Sequence, residues 1–360
     1  MRYLSFLALV LAIANQASAA KRKVIIDQDA FEGPGMQPIL MLLQSPDVEV
    51  LGITTVSGDG WQPEETARTL RMLEMIDRTD IPVYGGATYP LVNSKELTEL
   101  REKRYGKLGY KGAWTETWPS TDEMSRADYH GPDVIPPFAE GHPSIEAAEG
   151  TAAEFMIEQT KKYPGEVTII AMGPMTNLAL AQRLDYKFAS RVKQLCLMGG
   201  TFNQPLFYNH GPFALQRAYS PRMSFNYQWD PEAAHIVHTS PFPKISLVTS
   251  DASVDIFGTK ELLDKIASSD SKVAAYVTEI AKVGFPLWDE VQAGAWLEPD
   301  IVTESNTLWI GVDTNEGPNY GAILTWPEES APGIGERPVE VIYSVDQARM
   351  EAMFTELLSH

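Results

Sequence analysis

The sequence predicts an α/β protein: an open, mostly parallel sheet with helices on both faces. Short apolar runs bounded by turn residues recur at 24–26, 48–56, 81–84, 167–171, 192–198 and 244–248. Runs of that length read as strands buried in a parallel sheet. Stretches of helical spacing lie between most of them, joined by short links, so strand and helix alternate. Finally, Asp27 and Asp29 stand at the carboxyl end of the first strand, which is where open α/β sheets bind ligands.

The first strand is Val24-Ile25-Ile26 running into Asp27. Gly33, Pro34 and Gly35 make a loop, and Ile39, Leu40, Leu42 and Leu43 begin an amphipathic helix. The second strand, 48–56, ends in Ser57-Gly58-Asp59-Gly60, and a helix follows over 64–76 with Leu70, Met72, Leu73 and Ile76 on its apolar side. Ile81 to Tyr84 is a third strand, closed by Gly85-Gly86. Residues 88–143 then break the rhythm with Trp114, Trp118, Asp128, Tyr129 and His130. An irregular insertion of that length is usually functional or mobile, so it reads either as an aromatic lid or as a solvated excursion. The alternation resumes with a helix over 145–163, a strand at 167–171, a helix from 178 and a strand at 192–198. A second irregular stretch covers 201–224, before a helix start at Asp230-Pro231-Glu232. A strand at 244–248, helices over 259–268, 271–284 and 286–296, a hairpin of 308–312 with 322–326, a strand at 339–343 and a helix over 345–358 complete the chain. Without repeats or a linker, residues 21–360 are expected to form one domain.

Residues 1–20 are expected to be a signal peptide. Arg2, an apolar stretch from Leu4 to Ala14 and the small residues Ala17-Ser18-Ala19-Ala20 have the charge, length and ending of one. Its removal takes away Arg2 and no acid, moving the formal net charge from −19 to −20. A surface that acidic repels nucleic-acid phosphates and anionic membranes, so neither is an expected partner. It suits a secreted protein, extracellular or periplasmic, that tolerates a bound cation. The single Cys196 excludes an internal disulfide, and Leu195 and Leu197 beside it mark a buried small hydrophobe.

Asp27 and Asp29 repel each other, which makes sense when a cation, or a substrate that becomes positive, lies between them. The alternative is a strand-end aspartate capping the following turn.

Seven blocks in order carry a resemblance. They are Val24 to Ala30, Leu51 to Asp59, Ile81 to Gly86, Ala171 to Ala181, Leu197 to Gly200, Phe225-Asn226 with Asp230 to Ala234, and Asp289 at a helix start. Together they resemble the inosine-uridine-preferring nucleoside hydrolases over nearly the whole mature chain. The resemblance implies a Rossmann-like nucleoside hydrolase fold. It also implies hydrolysis of the N-glycosidic bond of ribonucleosides to base and ribose, a calcium ion that holds ribose hydroxyls, and dimers or tetramers. By position, Asp29 matches the aspartate that binds calcium and acts as general base, and Asp27 the first acid of the motif, expected at the metal with it. Asp289 matches a carboxylate ligand, and Met172 a ligand through its backbone carbonyl. Asn226 matches a ribose-binding asparagine, and Asp59 falls where another such asparagine is usual.

Three departures stand out. The family pattern has two further aspartates after Asp29, in places held here by Pro34 or Gly35, so calcium must find oxygens elsewhere; Glu32 is a candidate substitute. Trp288 replaces a histidine that protonates the leaving base. It can stack on a base, with Trp61 or an insertion aromatic as a second wall, while His130 and His210 are candidate acids or simply surface histidines. His235 and His238 share a helix face and are expected to be solvated. Ser224 replaces a glutamate that helps hold ribose. The second reading is therefore a catalytically impaired nucleoside- or pentose-binding protein on the same fold.

Overall fold

The computed structural model describes residues 20–31, 33–117, 128–202, 224–253 and 255–360. The expected signal peptide (all but its last residue), Glu32, Trp118 and His210 lie outside them. The strands are β1 (Arg22–Gln28), β2 (Val48–Thr55), β3 (Val83–Gly85), β4 (Val167–Ala171), β5 (Gln194–Met198), β6 (Ile245–Val248), β7 (Val302–Val312), β8 (Ile323–Trp326) and β9 (Arg337–Val345). They form one sheet in the order β3-β2-β1-β4-β5-β6-β9-β7-β8. All pairs from β3 to β9 are parallel, and only β7 runs antiparallel to its neighbours β8 and β9.

The expected alternation has a simple physical basis. Successive strand side chains point to opposite faces. Val24 and Ile26 of β1 pack into one core cluster and Ile25 into the other, and all three are fully buried. A strand covered on both sides has no polar face to show, hence its unbroken apolar run. Cys196 on β5 is buried in the first cluster, and burial pushes its thiol up to about 12, so it serves as core.

Four differences from expectation stand out, the first three with local causes. The helix expected over 145–163 is Ala152–Lys162, because Thr151 and Glu154 form a reciprocal capping box that starts it there. The 88–143 insertion contains a helix, Lys95–Tyr105, whose polar surface carries no apolar stripe to read; Thr98 is its one buried residue. β7 starts at Val302, before its apolar part, since the exposed run Thr303–Thr307 pairs with β9. And β9 slides between β6 and the β7–β8 hairpin, an ordering that strand patterns alone do not encode.

The strand order reverses between β1 and β4. Both strands end on the same side of the sheet, and the crevice beyond their carboxyl ends is the topological switch point where such sheets hold ligands.

Candidate active site

Asp27 anchors the floor of this crevice. Its Oδ1 accepts from Thr54 Oγ1 at 2.6 Å and from Asn177 Nδ2 at 2.8 Å, while its buried Oδ2 has no partner among the described residues. Burial raises its pKa to about 6, against the pull of Thr54 and Asn177. Asn177 also donates to the Thr55 carbonyl at 3.0 Å and accepts from the Ala87 N–H at 2.9 Å. One carboxylate and one carboxamide thus knit β1, β2 and the loop after β3.

Asp29, just past β1, is buried. Its Oδ2 accepts from the Asp59 N–H at 3.1 Å. Space for it depends on two glycines. A Cβ on Gly58 would lie 2.1 Å from Asp29 Oδ2, and one on Gly173 would lie 2.9 Å from Oδ1. Burial holds this carboxyl well above the usual range, and the charges of Asp59 and Asp289 add to the effect.

Asp289 is in the first turn of the helix Trp288–Leu297, where the helix dipole favours an acid. Gln28, fully buried between the motif acids, ties it to β1. Its Nε2 donates to Asp289 Oδ2 at 2.9 Å and to the Gly35 carbonyl at 3.1 Å, and its Oε1 accepts from the Asp29 N–H at 3.3 Å. Burial raises Asp289 to about 7, opposed by Gln28 and reinforced by Asp59.

On the β4 side, the Met172 N–H donates to the Asp27 carbonyl at 2.9 Å. The Met172 carbonyl accepts from Asn226 Nδ2 at 2.7 Å, and the same nitrogen donates to the Met198 carbonyl at 3.1 Å. Asn226 therefore braces the ends of β4 and β5 with both its N–H groups. Ser224 is the buried residue before this helix, Phe225–Trp229, and makes no side-chain cap to it. Trp288 is half-buried beside Asp289, edge-on to Phe285 at 5.4 Å.

The structure corrects three expectations. Trp61 is no wall for a base: it is buried edge-on against Trp229 and Tyr89, and its Nε1 donates to the His130 carbonyl at 2.8 Å. Trp114 is likewise buried, stacked on Trp229 at 4.0 Å. His238 is not solvated. It is fully buried against the Tyr227 hydroxyl at 2.8 Å, and burial lowers its pKa to about 3, so it is neutral; His235 is exposed. His130 is no loose surface histidine either. Its Nε2 lies 3.2 Å from Oε2 of the buried Glu64 and its Nδ1 2.9 Å from the Gly131 carbonyl. With both ring nitrogens engaged, it fastens the insertion to the body of the protein.

Sequence reasoning missed Gln28 and Glu65. Glu65 is fully buried, and its Oε1 accepts from the Gly60 N–H at 2.9 Å. The consecutive amides of Asp59 and Gly60 thus hold two carboxyls, Asp29 and Glu65. Burial, then the Asp29 charge, keeps Glu65 well above the usual range. The only sequence signal was a pair of acids ahead of an apolar run.

Among the described residues, the crevice is rich in acceptor oxygen. Asp29 and Asp289 are both held up by burial and by neighbouring acids, a strain that a hard, oxygen-seeking cation relieves. The Met172 carbonyl has a second lone pair beyond the one Asn226 uses. In charge and donor type these residues fit calcium. In number they fall short of its six to eight oxygens, and among the described residues no three acidic, histidine or cysteine side chains cluster closely enough to hold a metal alone. The places four and five residues beyond Asp29 are Gly33 and Pro34, one earlier than the sequence comparison puts them; Gly33, Pro34 and Gly35 all lack a ligating side chain. Oxygens from outside these residues would have to complete such a shell.

The family model described as inosine-uridine preferring nucleoside hydrolase matches residues 24–352. Uridine nucleosidase 1 of Arabidopsis thaliana is 30% identical over 342 residues, covering 90% of this chain and 89% of that protein. The pyrimidine-specific ribonucleoside hydrolase RihA of Salmonella typhi is 30% identical over 304 residues, covering 81% and 84%. Among solved structures, the plant nucleoside hydrolase PpNRh1 superposes with a TM-score of 0.69 at 25% identity, covering 94% of this chain and 99% of that one.

Proposed function

The chain belongs to the inosine-uridine-preferring nucleoside hydrolase family and is an N-ribosyl hydrolase; from that premise we propose that the crevice at the ends of β1 and β4 cleaves ribonucleosides to free base and ribose, with Asp29 as general base and calcium as its metal. The observation that carries this reading is the setting of Asp29: buried at the switch point, fixed by the Asp59 amide, given room by Gly58 and Gly173, and facing the charge of Asp289.

Asp29, Asp289 and the Met172 carbonyl would hold the metal, with Asp27 behind them. When bound, calcium supplies charge that orders sugar hydroxyls and acidifies nearby water. The rest falls to the protein. Asp29, held at the crevice by the Asp59 amide, takes a proton from water as it attacks the anomeric carbon. The glycosidic bond loosens toward an oxocarbenium ion, and the acids around the crevice are fixed in place to stabilise that positive charge. Asp59 accepts from a ribose hydroxyl. Asn226 has spent both N–H groups on carbonyls, so it meets the sugar through Oδ1. Trp288 offers a face for the departing base.

We further propose that residues 1–20 direct secretion, that residues 21–360 act as one domain, and that the protein assembles as a homodimer or homotetramer. The acidic composition and the leader-like start support the first of these.

The mature chain, given calcium and uridine, cytidine, inosine or guanosine in turn, should release free base and ribose in equal amounts without phosphate. No base from any of them would contradict the reading. Saturable nucleoside binding without base release would favour the binding protein instead.

A further inference from the structure

We propose that Tyr110, on the 88–143 insertion, is a positioning residue of the active site that fixes the Asp59 carboxylate for sugar binding and steadies the turn that holds Asp29. The proposal rests on the reading of Asp59 as a ribose contact.

Four observations meet at this point. The Tyr110 hydroxyl donates to Asp59 Oδ1 at 2.7 Å. Its ring stands edge-on to Phe225 at 4.7 Å, next to Asn226, so the residue spans from one proposed sugar contact to the other. Three residues on, the insertion docks onto the same turn: the Ala113 N–H donates to the Gly58 carbonyl at 2.9 Å. Between them Gly112 has φ +53°, and a Cβ there would lie 2.1 Å from the Gly58 oxygen and 2.4 Å from the Phe225 ring. That contact admits only glycine in comfort. Gly58 and Asp59 are the residues that leave room for Asp29 and donate to it.

The insertion is therefore built into the site. A carboxylate on a surface turn rotates freely, and a sugar hydroxyl must pay to order it. A phenol bonded to one oxygen sets its plane beforehand, which is preorganisation of the kind that raises affinity without adding a ligand contact. Tyr110 need not touch substrate for this. Because the effect falls on the sugar, it is blind to the base: purine and pyrimidine nucleosides should suffer alike.

The test is Tyr110→Phe, which keeps the ring on Phe225 and removes the hydroxyl, with Asp59→Ala and the double variant. D-Ribose binding is measured by calorimetry with calcium present, alongside KM and kcat for uridine and inosine and the melting temperature of each variant. For Tyr110→Phe we expect KM and the ribose dissociation constant to rise about tenfold or more, the scale of a hydrogen bond to a charged group. kcat should change less than KM, both nucleosides should respond equally, and melting should barely move. In the Asp59→Ala background the same change should cost little, because the oxygen it serves is gone. Unchanged KM and ribose affinity, or an equal cost in both backgrounds, would overturn the proposal. If ribose binding shows the coupling but the wild type releases no base, the hydrolase reading fails while the positioning role stands.

Discussion

Asp29→Asn should lower kcat for any nucleoside the protein cleaves by about a thousandfold or more, near the top of what a positioned general base contributes. The substitution is nearly isosteric. It keeps an oxygen to accept from the Asp59 amide and fits the space left by Gly58 and Gly173. It removes the proton acceptor and one negative charge facing the developing cation. Stability should move the other way. Burial and neighbouring acids hold the Asp29 carboxyl well above its usual range, so its contribution to stability is present below the unfolded value of about 4 and is lost as pH rises through the folded value. In chelator-treated protein, Asp29→Asn should therefore melt with the wild type at pH 4 and above it near pH 7. Activity that survives the change would remove Asp29 as the base. A variant that melts far below the wild type at pH 7 would mean the carboxylate is structural.

Asp289→Ala should weaken calcium binding by more than about a hundredfold, the upper end of what losing even an outer-shell partner of a metal costs. Asp289, Asp29 and the Met172 carbonyl are the three groups proposed to hold the ion. The partner of Asp289, Gln28 Nε2, keeps its bond to the Gly35 carbonyl when Asp289 is gone, so the fold should survive. In the wild type, affinity should be modest and should rise when D-ribose is present, because sugar hydroxyls supply oxygens that Gly33, Pro34 and Gly35 cannot. Calorimetric titration of calcium into chelator-treated protein, with and without ribose, measures both effects. Equal affinity in wild type and variant would place the ion elsewhere.

What was legible in the sequence follows from what side chains must do locally. The parallel strands announce themselves because both their faces are buried, as Val24, Ile25 and Ile26 show. The hairpin β7–β8 is visible from its apolar runs, but the insertion of β9 beside β6 is decided by long-range pairing. The helix Lys95–Tyr105 was hidden because only Thr98 is buried on it. In the site, acids at a strand end marked Asp27 and Asp29, while Asp289 was singled out only by the family resemblance. Side-chain direction was beyond reach: Trp61 and Trp114 look like base-stacking aromatics by composition, and the fold turns them inward onto Trp229. Gln28 and Tyr110 escaped notice because their roles lie in the partners they touch, at separations of 261 and 51 residues.

The most direct measurement is a crystal structure of the mature protein with calcium and D-ribose. The expected result is an ion within about 2.3–2.6 Å of oxygens from Asp29, Asp289 and the Met172 carbonyl, the calcium range, with two sugar hydroxyls on the same ion and the anomeric carbon turned toward Asp29. A sugar bound in the crevice with no cation beside Asp29, or an ion bound away from β1 and β4, would contradict it.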